Sequence, residues 1–204
     1  VLMPGEEFSY NGVVGRRTAA RGFLPAPAYV GGETVQETGG GVCQGSSTVY
    51  LAALRSNLEI VERYPHGYIT RYVPDGMDAT VYYGAKDFRF RNNTPFPIQV
   101  VGSVSGRSLT VSILGTKSDN ITVEMTNQTV GTTGYKTVYK VDSSLPAGST
   151  RGSVTPYAGY TVKVYRNLYE NGKLKDTKLE STSVYRSRDK VVLVSPEDAA
   201  QYGL

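Results

Sequence analysis

Gly39-Gly-Gly-Val-Cys43-Gln44-Gly-Ser46-Ser-Thr-Val-Tyr-Leu-Ala-Ala-Leu-Arg-Ser-Asn57 is a glycine turn followed by a helix, and it holds the only cysteine of the chain. Val49, Ala52, Ala53 and Ser56 share one face at helical spacing, and Tyr50, Leu51, Leu54 and Leu58 widen the apolar side. That pattern predicts a well-buried helix from Ser46 to about Asn57, capped by the Ser46 or Ser47 hydroxyl. A cysteine just ahead of a helix feels the positive end of the dipole and several unpaired N–H groups. Such surroundings lower a thiol pKa and favour the nucleophilic thiolate. The alternative is a small, buried, inert cysteine above a tight turn.

Outward from this stretch the pattern changes. Residues 13–42 are rich in Gly, Pro and Ala and read as loop and short strands. From Ile60 the chain turns β-prone: Tyr68 to Val73, Ala79 to Tyr83, Phe88 to Arg91, Ile98 to Val104 and Ser108 to Leu114 are expected strands, separated by turn residues. Beyond the polar join Lys117-Ser-Asp-Asn120, period-two runs of Thr, Val, Tyr and Lys take over. Asn171-Gly172 predicts a tight hairpin, because both residues tolerate positive φ. The expected fold is α+β. Residues 1–116 form a mixed domain with one main helix after the cysteine motif packed on a β-sheet, and residues 117–204 form a small, elongated all-β module.

The 204 residues are 39% hydrophobic, with 16 Tyr, 5 Phe and no Trp, enough for a core of half-buried aromatics. The net charge of +4 comes from cations scattered among acids, without the basic block a nucleic-acid partner needs. No apolar run approaches the roughly 18–20 residues that span a bilayer, and no signal peptide is visible. The chain opens inside what reads as a strand, so any targeting or membrane segment is expected upstream.

Several motifs in order resemble the VanW family over about residues 1–115. They are Gly39-Gly-Gly-Val-Cys-Gln44, Glu59-Ile-Val-Glu-Arg63, Pro65-His66, Tyr72-Val-Pro74, Gly76-Met-Asp-Ala-Thr-Val81 and Asp87-Phe-Arg-Phe-Arg-Asn-Asn-Thr94. Gly5-Glu-Glu-Phe-Ser9 and Val14-Gly15 fit the start of that family. Leu145-Pro-Ala-Gly148, Tyr169-Glu-Asn-Gly-Lys173 and Val191-Val-Leu-Val194 resemble the G-five module that often follows it. The first resemblance implies a protein on the outside of a Gram-positive-type envelope, linked by name to glycopeptide resistance. Some members are associated with L,D-transpeptidase activity, which joins peptidoglycan stem peptides through a cysteine thioester. The second implies adhesion to cell-wall sugars.

Within that frame the candidate nucleophile is Cys43. His66, the single histidine, has the pKa to take a thiol proton and return it to a leaving amine. A Cys/His pair commonly needs a third group to orient the ring; Asp78 is the first choice, with Asp87 and Asp75 competing. The backbone amides of Val42, Cys43 and Gln44 are candidate oxyanion donors, and the Gln44 side chain either joins them or extends the cap. Arg71 and Arg63 are candidate anchors for a stem-peptide carboxylate. Tyr68, with the tyrosines at 64, 72, 82 and 83, is a candidate groove lining. One Cys and one His offer no metal-ligand spacing, and there is no phosphate loop or dinucleotide fingerprint, so neither metal nor cofactor is expected. The expected partners are peptidoglycan stem peptides or cell-wall glycan. A non-catalytic wall-binding protein is the competing reading.

Overall fold

The computed structural model describes residues 1–30 and 33–204. Gly31 and Gly32, within the stretch expected as loop and short strands, lie outside the described residues. Strand outweighs helix by 46% to 13%, so the protein is mostly β around one main helix.

The chain runs through β1 (Glu7–Ser9), α1 (Tyr10–Val14), β2 (Pro25–Val30), β3 (Glu33–Thr38), α2 (Val42–Arg55), β4 (Glu59–Glu62), β5 (Arg89–Arg91), β6 (Ile98–Ser105) and β7 (Ser108–Gly115). Helix α2 starts four residues earlier than its apolar period suggests, so Cys43 lies inside the first turn rather than ahead of it. The reason is backbone geometry: Gly41 takes φ 84° at the N-cap, a left-handed conformation that glycine adopts without penalty. Gly40 is fixed by space instead, since a Cβ there would sit 2.1 Å from Ala26 O. The serines are not caps. Ser46 Oγ donates to Ala79 O at 2.6 Å, while Ser47 Oγ donates to Cys43 O at 2.7 Å and accepts from Ala79 N at 2.9 Å.

The helix ends in a Schellman arrangement. Asn57 turns left-handed at φ 56°, Leu58 N donates to Ala53 O, and Asn57 N donates to Leu54 O. Val49, Tyr50, Ala53 and Leu54 face the core with Leu58, Ala79, Val81, Phe88, Phe90 and Ile98. Tyr50 meets Phe88 edge-on, ring centroids 5.3 Å apart.

The sheets are small: β1-β5-β4, the hairpin β2-β3 and the hairpin β6-β7. Two expected strands are corrected. Residues 68–73 and 79–83 form no named strand, and only the isolated bridge Tyr82–Lys86 interrupts the irregular path from 63 to 88. Their backbone groups find other partners. Arg63 serves the carbonyls of Gly76 and Asp78, the two serines of α2 serve Ala79, and Thr80 N donates to Tyr64 O. With those groups satisfied, no ladder is required.

The remaining strands are β8 (Ile121–Thr133), β9 (Thr137–Val141), β10 (Thr150–Val154), β11 (Gly159–Glu170), β12 (Lys173–Tyr185) and β13 (Lys190–Val194). Asn171 and Gly172, at φ 51° and 76°, make the tight hairpin that their sequence predicts. Contacts divide the chain into two compact units that do not follow its order. One comprises Val1–Gln128 with Val162–Ser183, and holds residues 121–128 of β8, 162–170 of β11 and 173–183 of β12. The other comprises Thr129–Thr161 with Val184–Leu204, where β13 pairs antiparallel with β10 and parallel with β9.

Candidate active site

Asp78 is the fixed point of the site. Its side chain is 1% exposed and is held from two sides. Arg63, 6% exposed, donates from Nη2 to Asp78 Oδ1 at 3.1 Å and from Nε to the Asp78 carbonyl at 2.6 Å. The same guanidinium reaches Gly76 O at 2.9 Å and Ser183 Oγ at 2.9 Å. Arg63, expected as a free anchor for substrate, is therefore committed to the protein's own carboxylate and carbonyls.

The other oxygen of Asp78 takes His66 twice: the backbone N–H at 2.7 Å and the ring Nδ1 at 2.6 Å. A carboxylate facing Nδ1 fixes the proton there and turns Nε2 outward. Tyr72 Oη lies 3.1 Å from Nε2, and Cys43 is close enough to the same ring for each to shift the other's pKa. Burial pushes the His66 pKa down, but the bonds to Asp78 and Cys43 overcome it, and the ring is pushed up to about 9. Cys43 moves the opposite way. Burial pushes the thiol up, while the His66 contact and the charges of His66 and Arg17 carry it below its ordinary value. The protonated thiol has Val81 O as acceptor at 3.6 Å. Partial burial and the nearby Cys43 charge push the Tyr72 hydroxyl up, although the residue keeps 38% of its surface exposed. The Cys43 and His66 shifts both favour the thiolate–imidazolium pair over the neutral pair.

The remaining candidates separate. Val42 N and Gln44 N donate to Gly39 O and Gly41 O at 3.3 and 3.0 Å, so the turn's own carbonyls occupy both. Among the described residues Cys43 N–H has no backbone acceptor, so of the three candidate amides it alone is not taken up by the turn. Asp87 accepts from Ser9 Oγ at 2.5 Å and Asn11 N at 2.8 Å, anchoring the start of α1. Asp75 accepts Asn127 Nδ2 at its carbonyl, 2.9 Å away. Arg71 is exposed and Tyr68 half-buried on the irregular segment after His66. Sequence reasoning missed Arg17, which sits in a loop with no pattern around it, and the particular role of Tyr72 among many tyrosines. Among the described residues no cluster of three or more His, Cys, Asp or Glu is placed to hold a metal.

A helix-borne thiol, an imidazole and a buried carboxylate on a mostly β scaffold thus occupy the first 128 residues. The chain belongs to the VanW like protein family, whose model matches residues 1–114, and a G5 domain model matches residues 121–196. It is 45% identical over 113 residues to the uncharacterized protein YoaR of Bacillus subtilis, covering 55% of this chain and 37% of that one. It is 23% identical over 137 residues to the vancomycin B-type resistance protein VanW of Enterococcus faecalis, covering 64% and 49%. The chain therefore spans less than half the length of these curated relatives. Among solved structures it resembles HP0197-G5 (24% identity, 37% of this chain, 97% of that one, TM-score 0.22). It also resembles the IgA1 protease G5 domain (15% identity, 38% and 94%, TM-score 0.26). The two families together suggest a cell-wall-associated protein, and G5 domains are in general associated with cell-wall and glycan binding. No helix among the described residues is long and apolar enough to cross a membrane.

Proposed function

We propose that Cys43, His66 and Asp78 form an acyl-transfer triad acting on stem peptides of peptidoglycan at the outer face of the cell. The observation that carries this is the position of His66, whose Nδ1 lies 2.6 Å from an Asp78 that Arg63 immobilises, with Cys43 near enough to raise the ring's pKa. The thiolate attacks a peptide carbonyl, the C–S bond forms, and the π pair moves to oxygen. Cys43 N–H and the positive end of α2 face that oxyanion. Collapse breaks the C–N bond, and His66 Nε2 gives its proton to the leaving amine. An amine of a second stem, or water, then attacks the thioester, yields a proton to His66, and frees the thiol. An amine acceptor makes the protein an L,D-transpeptidase-like enzyme, and water makes it a peptidase.

The VanW and G5 matches support the cell wall as the location of the substrate. The test is intact-mass spectrometry of the protein and a Cys43→Ala control after incubation with purified tetrapeptide-stem muropeptides. A thioester adduct or cross-linked product that the control lacks is expected. The G5 match favours wall binding as a second reading. Retention on sacculi with neither adduct nor product would make the protein a binder and overturn acyl transfer.

A further inference from the structure

Four arginines of the first unit carry ion pairs: Arg63 with Asp78, Arg89 with Glu7, Arg91 with Glu7 and Glu59, Arg166 with Glu180. Arg17 is held differently. Both of its terminal nitrogens, Nη1 and Nη2, are buried, and neither has a hydrogen-bond partner among the described residues. Buried guanidinium nitrogens with no acceptor cost free energy, and an anion bound there would offset it.

Its position suggests what that ligand is. The stem of Arg17 packs on the glycine turn, where a Cβ on Gly39 would lie 2.6 Å from Arg17 Cβ. The guanidinium carbon is 5.9 Å from the centre of the Tyr83 ring. Its charge is felt by Cys43 and by Tyr10, whose hydroxyl donates to Val42 O in the first turn of α2 at 3.2 Å. Arg17 thus stands at the turn that carries the thiol, with both terminal nitrogens unpaired. We infer that Arg17 binds a carboxylate of the acyl donor, next to the carbonyl that Cys43 attacks. A planar guanidinium with two free nitrogens matches a carboxylate bidentately, and no uncharged amide substitutes for that pairing.

The identity of the donor rests on the acyl-transfer reading above, whereas the anion site does not, and alkylation separates the two. Cys43 is the only thiol, so iodoacetate and iodoacetamide report on it alone. Iodoacetate carries the carboxylate and iodoacetamide lacks it, and both leave a thioether and iodide. In the wild-type protein, iodoacetate alkylation is expected to saturate and to be competed by N-acetyl-D-alanine but not by its amide. That wild-type result needs no variant to fold. In Arg17→Gln the iodoacetate-to-iodoacetamide rate ratio is expected to fall by about 10- to 100-fold. Arg17→Lys keeps the charge but not the fork and should fall between. Arg16→Gln, an exposed neighbour, should leave the ratio unchanged. An unchanged ratio in Arg17→Gln, or equal competition by the amide, overturns the carboxylate site.

Donor peptides then decide where the carboxylate comes from. Loss of acylation on amidating the C-terminus assigns it to the leaving residue, and loss on amidating the side chain assigns it to the acyl residue. Acylation indifferent to both would overturn Arg17 as an anchor while leaving the triad intact. A preserved alkylation ratio effect with no acylation by any peptide would instead overturn acyl transfer and keep the anion site.

Discussion

Replacing Asp78 by Asn tests the electrostatic logic of the site at its centre. One oxygen of Asp78 accepts two N–H groups of His66 and the other accepts Arg63 Nη2. An amide has a single oxygen, so whichever way Asn turns, its NH2 faces a donor. Loss of the negative charge removes the largest influence that raises His66, whose ring is pushed from 6.5 to about 9. A raised folded-state pKa means that protonation favours the folded protein. This stabilisation is fully present below pH 6.5 and is lost as pH rises through 9. Its size is of order 3 kcal/mol, at about 1.4 kcal/mol per pKa unit. Because the chain has one histidine, the ring proton signals in NMR titrate without overlap. The wild-type midpoint is expected near 9. In Asp78→Asn it should fall by about one to three units, and the loss of stability between pH 6.5 and 9 should flatten. The variant also strands the 6%-exposed Arg63, at about 3 kcal/mol or more in urea unfolding. A wild-type midpoint near 6.5, or the same midpoint in both proteins, would refute this account.

Two further substitutions probe the framework. Gly40→Ala places a Cβ 2.1 Å from a backbone oxygen that cannot swing aside. It should cost about 2 kcal/mol and lower Tm by about 4–8 °C in calorimetry. Arg166→Met removes the donor to Leu58 O, 2.9 Å away, and leaves the 7%-exposed Glu180 without its cation. It should cost about 3–5 kcal/mol by chemical denaturation, and adding Glu180→Leu should recover much of that.

The helix was legible in the sequence because Val49, Tyr50, Ala53 and Leu54 keep its period, while its start was not. The first turn is set by a left-handed Gly41 and by backbone bonds, and the serines that resemble caps serve Ala79 instead. The sequence points to Asp78 as the residue entering the strand after that of His66; neither strand forms, yet Asp78 Oδ2 lies 2.6 Å from His66 Nδ1. Its grip by Arg63 was not legible, because nothing in Glu59-Ile-Val-Glu-Arg63 distinguishes a buried fork from a solvated charge. The β-prone residues of 68–83 misled for a related reason. Strand propensity describes a fit to a half-buried pleated surface, and here side chains of Arg63, Ser46 and Ser47 satisfy the backbone that a neighbouring strand would otherwise pair.

The compact units also change how the family boundaries are understood. The G5 match begins at residue 121, yet residues 162–183 pack in the same unit as residues 1–128. Their contacts fall on the supports of the site. Gly76, at φ 82° just before Asp78, has no room for a Cβ because Val164 Cγ2 would lie 2.4 Å from it. Ser183 accepts the third arm of the Arg63 guanidinium. Arg166 caps the end of the helix that carries Cys43, donating to Leu58 O and Asn57 Oδ1 while its Nε lies 2.9 Å from Glu180, out of line for a hydrogen bond. A carboxylate that orients an imidazole must be held more firmly than the ring it orients. Here that firmness comes from residues on both sides of the family boundary, so the Asp78–His66 pair and the packing of β11 and β12 form one physical system.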